Sequence, residues 1–144
     1  MRAAGQHAAG MMEPLAESAG LRISIEGEGA CVQADPEWLQ EVLLVLLSNA
    51  IKYSSRGGDI RVRVAGNTLT VEDEGAGISP ADLPHVFERF YRGKANSEGF
   101  GLGLPICREL TERMGGDISI RSQEGIGTAV KIELPEAGSD CQKY

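Results

Sequence analysis

Asp35-Pro36-Glu37-Trp38-Leu39-Gln40-Glu41-Val42-Leu43-Leu44-Val45-Leu46-Leu47-Ser48-Asn49-Ala50-Ile51-Lys52-Tyr53 is the stretch on which the reading of this chain turns. Its first three residues are a helix start. Asp35 can cap, Pro36 suits the first helical position, and Glu37 favours the positive end of the helix dipole. The apolar positions that follow are so dense that the helix must be largely buried. Ser54-Ser55-Arg56-Gly57-Gly58 ends it. Asn49, Lys52 and Tyr53 fall at i, i+3 and i+4, so they share one face. An amide oxygen is a hard, neutral ligand of the kind Mg²⁺ accepts. The face can therefore hold metal, phosphate and purine together. Alone, it reads more simply as a helix end with a solvated Lys and a half-buried Tyr.

Alternating segments flank this helix. Leu21–Glu26 is a strand with one buried face, and Ala30–Gln33 a short second strand. Asp59–Ala65 and Thr68–Glu72 form a hairpin through Gly66-Asn67. Ser79-Pro80-Ala81-Asp82 starts a short helix, and the polar stretch Gly93–Gly99 reads as a mobile loop. Leu102–Met114 is a second long helix, stopped by Gly115-Gly116. Asp117–Ser122 and Thr128–Leu134 are further strands, joined through Gly125-Ile126-Gly127. Residues 1–12 are rich in Ala and Gly without a stable apolar period and read as a linker or the end of a preceding helix. Residues 136–144 read as a disordered tail. Strict βαβ alternation is absent. The expectation is an α+β, two-layer sandwich: a mixed, mostly antiparallel sheet of about five strands, covered on one face by about three helices.

Composition narrows the function. With 144 residues, 42% hydrophobic and 24% charged, the chain reads as one globular domain. A formal charge of −7 argues against a nucleic-acid groove and a polybasic membrane anchor. Val42–Leu47 is too short to cross a bilayer. Cys31, Cys107 and Cys141 are few and widely spaced, which reads as reduced thiols in a cytosolic protein without a zinc site.

Three further segments carry chemistry. In Asp73-Glu74-Gly75-Ala76-Gly77-Ile78, a strand-end carboxylate precedes two glycines. An ionised carboxylate only accepts hydrogen bonds, and the glycines permit close backbone approach. In Phe87-Glu88-Arg89-Phe90-Tyr91-Arg92, aromatic anchors alternate with cations. In Gly99-Phe100-Gly101-Leu102-Gly103-Leu104, glycines open a helix whose N-terminal amides suit phosphate. Each segment alone has an ordinary structural reading: a turn after an edge strand, a solvated basic patch, a glycine-rich loop.

Taken in order, these segments resemble the N, G1, F and G2 boxes of the histidine-kinase catalytic and ATP-binding domain, of the gyrase, Hsp90, histidine kinase and MutL superfamily with its Bergerat fold. The resemblance runs over residues 13–135. It implies ATP and Mg²⁺ as cofactors, with Asn49 on the metal, Lys52 on phosphate, Tyr53 near the adenine and Asp73 on the adenine 6-amino group. It also implies nucleotide contacts from Gly75, Gly77, Ile78, Phe87, Arg89, Arg92, Lys94, Gly99, Phe100, Gly101, Leu102, Gly103, Leu104 and Thr128. Residues 92–99 would be a short ATP lid.

Three departures stand out. Val45 occupies the position where the family usually has a second Asn and the superfamily's ATPases a Glu. Phe100 stands where Thr or another small residue is usual. Neither His7 nor His85 matches the family's phosphoacceptor motif. The resemblance therefore implies γ-phosphoryl transfer to a histidine on a separate dimerisation domain, with a response regulator downstream. The chain itself would be cytoplasmic and monomeric, its parent open to membrane anchoring. Two alternatives stay open: a stand-alone serine kinase like the anti-sigma factors, and a degenerate, non-catalytic ATP-binding or docking module.

Overall fold

The computed structural model describes residues 1–54, 58–88 and 103–137. Five strands form one sheet: β1 (Arg22–Gly29), β2 (Asp59–Gly66), β3 (Thr68–Asp73), β4 (Asp117–Gln123) and β5 (Gly127–Glu133). Their order is β1-β2-β3-β5-β4. Only β1 and β2 run parallel; the other pairs are antiparallel. The parallel pair needs a crossover, and the helix α2 (Pro36–Tyr53) supplies it. With α1 (Arg2–Ser18) and α3 (Gly103–Arg113) it completes the helical layer. This is the mixed-sheet α/β sandwich expected.

The sheet is two-faced because its residues alternate. Ile60, Val62, Val64, Leu69, Val71, Val130 and Ile132 are buried, while Arg61, Arg63, Arg121 and Lys131 between them stay exposed. Leu39, Val42, Leu43, Leu46 and Leu47 of α2 close on the buried face. Each such side chain contributes about 1.5–3 kcal/mol by leaving water. The α2 cap forms as expected: the Asp35 carboxylate accepts from the amides of Glu37 (2.9 Å) and Trp38 (3.1 Å). At the end of α3, Gly115 (φ 83°) turns left-handed, Gly116 N–H donates to Thr111 O, and Gly115 N–H to Glu112 O.

Three local readings differ from the structure, and a fourth, linker or helix end, is decided by it. Residues 2–12 belong to α1, whose Ala4, Ala8, Ala9 and Ala16 are buried, so the helix holds there. The contact face is built of alanine, so it lacks the large apolar residues that a periodicity reading looks for. The expected strand at 30–33 reduces to a single bridge between Val32 and Glu136. The short helix after Ser79 becomes a one-turn 3₁₀ segment, Leu83–His85, because Pro84 lacks the amide an α-helix needs. Finally, Cys31 is disulfide-bonded rather than a reduced thiol. Gln33 N–H donates to Pro135 O and Ala137 N–H to Cys31 O (2.9 Å). This ribbon brings the C-terminal segment alongside Cys31, a proximity that sequence spacing hides. Cys107 is free and buried. No described helix is long and apolar enough to cross a membrane. Residues 89–102 and 138–144, with the expected lid and tail, lie outside the described residues.

Candidate functional site

The site has two walls, and sheet register builds the first. Asp73, the last residue of β3, is the direct partner of Thr128 in β5. Side chains of such a pair share a face, so residues far apart in sequence stand side by side. The Asp73 carboxylate accepts the Gly75 amide at 2.9 Å and a backbone hydrogen bond from Thr128. Burial pushes its carboxyl above the usual range, and these two bonds pull partly back.

The glycines of the turn after Asp73 are there for close approach. A Cβ on Gly75 would lie 2.0 Å from Tyr53 O, and Ser54 bridges Gly75, which ties the turn to the end of α2. Gly77 has φ 73°, and a Cβ on it would lie 2.2 Å from Gln123 O.

Ser122 holds this wall together. Its Oγ accepts the Ile78 amide (2.7 Å), donates to Gly127 O (3.0 Å) and meets Thr128 Oγ1 at 2.8 Å. A hydroxyl has one proton. With that proton on Gly127 O, Thr128 is the donor to Ser122, and its oxygen keeps acceptor capacity. Sequence reasoning missed Ser122. The signal was present in the glycine-rich turn of the β4–β5 hairpin, whose register pairs Ser122 with Thr128.

Helix packing builds the second wall. Asn49 and Tyr53 are half-buried on α2 and Lys52 is exposed, its Nζ 5.6 Å from the Tyr53 ring centre. Gly103 opens α3 directly over α2. A Cβ there would lie 3.2 Å from Val45 Cγ1 and 3.7 Å from Asn49 Nδ2. The first turn of α3 thus meets the face carrying Asn49. Leu104 is buried in the core. Cys107, one turn further on, has its thiol pushed up to about 12 by burial and the Glu41 charge, which favours the neutral thiol over the nucleophilic thiolate. Phe87 is half-buried against the core, with the Arg108 guanidinium 5.7 Å from its ring centre.

The structure therefore brings Asp73, Gly75, Gly77, Ile78 and Thr128 together, and separately Asn49 and Gly103. The end of α2, through Tyr53 and Ser54, joins the two groups. Arg89, Arg92, Lys94, Gly99, Phe100, Gly101 and Leu102 lie outside the described residues. Among those described, no group of three His, Cys, Asp or Glu could hold a metal. Asn49 offers one amide oxygen and Val45 none. Such a donor set fits Mg²⁺ only where phosphate and water oxygens complete the shell, which is Mg²⁺'s usual habit.

Residues 34–138 match the profile of the histidine kinase-, DNA gyrase B-, and HSP90-like ATPases. The sensor histidine kinase YkoH of Bacillus subtilis is 37% identical over 120 residues, covering 79% of this chain and 26% of that protein. WalK, a sensor histidine kinase of the same organism, is 40% identical over 114 residues, 72% of this chain and 19% of that protein. The chain thus spans about a quarter or less of these relatives. Among solved structures, the mycobacterial sensor histidine kinase MprB superposes with TM-score 0.79 at 27% identity, covering 92% of this chain and 93% of that one. Full-length ShkA in complex with AMPPNP gives 0.80 at 26% identity, over 94% of this chain and 30% of that one.

Proposed function

We propose that this chain, which belongs to the histidine kinase-, DNA gyrase B- and HSP90-like ATPase family, is the ATP-binding catalytic part of a sensor histidine kinase. The observation that carries the reading is the convergence of two acceptors, the Asp73 carboxylate and the Thr128 hydroxyl, on one pocket wall. Two acceptors match the donor edge of an adenine 6-amino group. They reject guanine, whose carbonyl would leave buried acceptors facing an acceptor.

Tyr53 would lie beside the base and Lys52 would reach phosphate. Asn49 would give its amide oxygen to Mg²⁺, which supplies charge neutralisation between the phosphates. The amides opening α3 at Gly103 would face the same phosphates. Val45 can neither bind metal nor act as a general base, so water activation does not arise from this helix. Transfer then goes to a histidine on a separate dimerisation domain, and onward to a response regulator. The chain works on the cytoplasmic side, where ATP is.

Calorimetric titration tests this, with ADP and a non-hydrolysable ATP analogue, with and without Mg²⁺. Wild-type chain should bind both, the analogue more tightly with Mg²⁺, and Asp73→Asn should lose at least about 100-fold in ADP affinity. Unchanged ADP binding in a folded Asp73→Asn sample would overturn the adenine assignment. No binding by folded wild-type chain would leave a docking module as the better reading.

A further inference from the structure

The two edges of the sheet differ. At the β1 edge, Gly27 takes a left-handed φ of 94°, and the Arg2 guanidinium of α1 donates to Gly27 O. Strand β4, at the other edge, has neither device. Its residues Asp117–Gln123 pair with β5 in unbroken register and include no Gly or Pro. Among the described residues, no backbone hydrogen bond from outside the sheet reaches residues 117–121. Alternate amides and carbonyls of an edge strand face away from its neighbour and suit another strand. Asp117, Ser119 and Arg121 stand exposed on the outer face, while Ile118 is buried and Ile120 half-buried on the helix side. The charges at the two ends of the strand are unbalanced. Asp117 lies directly opposite Glu133, a placement that like charges resist, and neither forms an ion pair with a described residue. Arg121 lies opposite Ala129 and makes no ion pair among the described residues either.

We propose that β4 pairs antiparallel with β4 of a second copy of this chain. The segment Asp117-Ile118-Ser119-Ile120-Arg121 is complementary to itself when reversed. Pairing about Ser119 sets Asp117 against Arg121 of the second copy, and Arg121 against its Asp117. Ile118 meets Ile120 on the helix side, and Ser119 meets Ser119. A two-fold contact makes every such pair twice. The guanidinium thereby reaches the Asp117 and Glu133 carboxylates, to which the described residues of their own chain bring no cation. In-register parallel pairing would instead set Asp117 on Asp117 and Arg121 on Arg121, so charge selects the antiparallel dimer. The paired segment spans about 17 Å at the usual rise of a strand. A contact of that length belongs to the weak, transient class. The chain is then a monomer when dilute and a dimer when concentrated. In the parent kinase proposed above, two copies tethered through the dimerisation domain would meet at roughly millimolar effective concentration. The pairing itself uses no residue assigned to nucleotide and holds with or without it.

Sedimentation velocity of the chain from about 10 μM to about 1 mM tests this. The wild-type sedimentation coefficient should rise with concentration toward that of a dimer. Arg121→Asp and Asp117→Arg, both at exposed positions and so compatible with folding, should each weaken association about tenfold. These two changes move net charge in opposite directions, so a loss in both is not an effect of net charge. Asp117→Arg combined with Arg121→Asp sets opposite charges against each other again. It should return association to within about threefold of wild type. A wild-type chain that stays monomeric throughout would overturn the proposal and leave the edge to an extended segment of another protein. A loss confined to Arg121→Asp would reduce the effect to net charge and overturn it too. So would a dimer indifferent to both single changes, or a folded double variant that stays monomeric.

Discussion

The two walls of the site are built by different physics. Around Asp73, backbone amides, a register pair and the Ser122 hydroxyl hold each group before any ligand arrives. Around Asn49, two helices meet through Val45 and Gly103, and among the described residues there the Asn49 amide is the donor suited to a metal. The base wall is held by its own hydrogen bonds, whereas the described part of the phosphate wall is held by helix packing. Recognition of the base can therefore be rigid, while the phosphate end depends on what the ligand brings with it: its own oxygens, its metal and the metal's water. Preorganisation costs little at the moment of binding. The proposed Mg²⁺ role of Asn49 makes affinity for the triphosphate responsive to the metal.

The strongest way to break this contrast is Gly75→Ala. The added methyl would lie 2.0 Å from Tyr53 O, a backbone atom that cannot step aside cheaply. We expect a loss on the order of 2–3 kcal/mol in denaturant unfolding, with ADP binding lost as the turn shifts. A fully stable variant would mean the base wall is less rigid than its contacts imply.

Next in size is pH. Burial raises the Asp73 carboxyl above its ordinary range. As pH falls through that raised value, Asp73 gains a proton and loses its charged acceptor. ADP affinity should weaken by about 2 kcal/mol at full protonation, starting above the pH where an ordinary carboxylate titrates. The sign for stability is opposite. A folded-state value above the unfolded one adds stability that is fully present below the unfolded value and is lost as pH rises through the folded one. Asp73→Asn should abolish that slope. A pH-independent ADP affinity between pH 4 and 8, by calorimetry, would contradict the first part.

The phosphate wall is probed by Asn49→Ala. Removing the amide oxygen should abolish the Mg²⁺-dependent gain in binding of the ATP analogue, about tenfold, and leave ADP binding without Mg²⁺ unchanged. Equal losses with and without the metal would mean Asn49 serves the base wall instead.

The smallest effect lies away from both walls. Thr111 is fully buried and its hydroxyl has no partner. Thr111→Val should stabilise the fold by about 1 kcal/mol, because a buried unsatisfied hydroxyl costs that much or more, and should leave nucleotide binding unaltered. A destabilised variant would show that a bound water satisfies the hydroxyl.

Much of this was legible in the residues alone, because it is local. A cap such as Asp35, a stop such as Gly115-Gly116 and the alternation of β2 and β3 each act over a few bonds, so their signals lie in neighbouring residues. The segments proposed to bind nucleotide carry their chemistry in the same way, through residue type and short spacing. What tertiary structure alone decided is which of them meet. Strand order β1-β2-β3-β5-β4 places Thr128 opposite Asp73, brings Ser122 onto Ile78 and closes Gly103 over Val45 and Asn49. Periodicity states which face is buried but not which strand is its neighbour; that follows only when the whole sheet pairs. The alanine face of α1 stayed hidden for a related reason. Small residues bury well only against a partner shaped to receive them, and that partner is known only once α2 and β1 are in place.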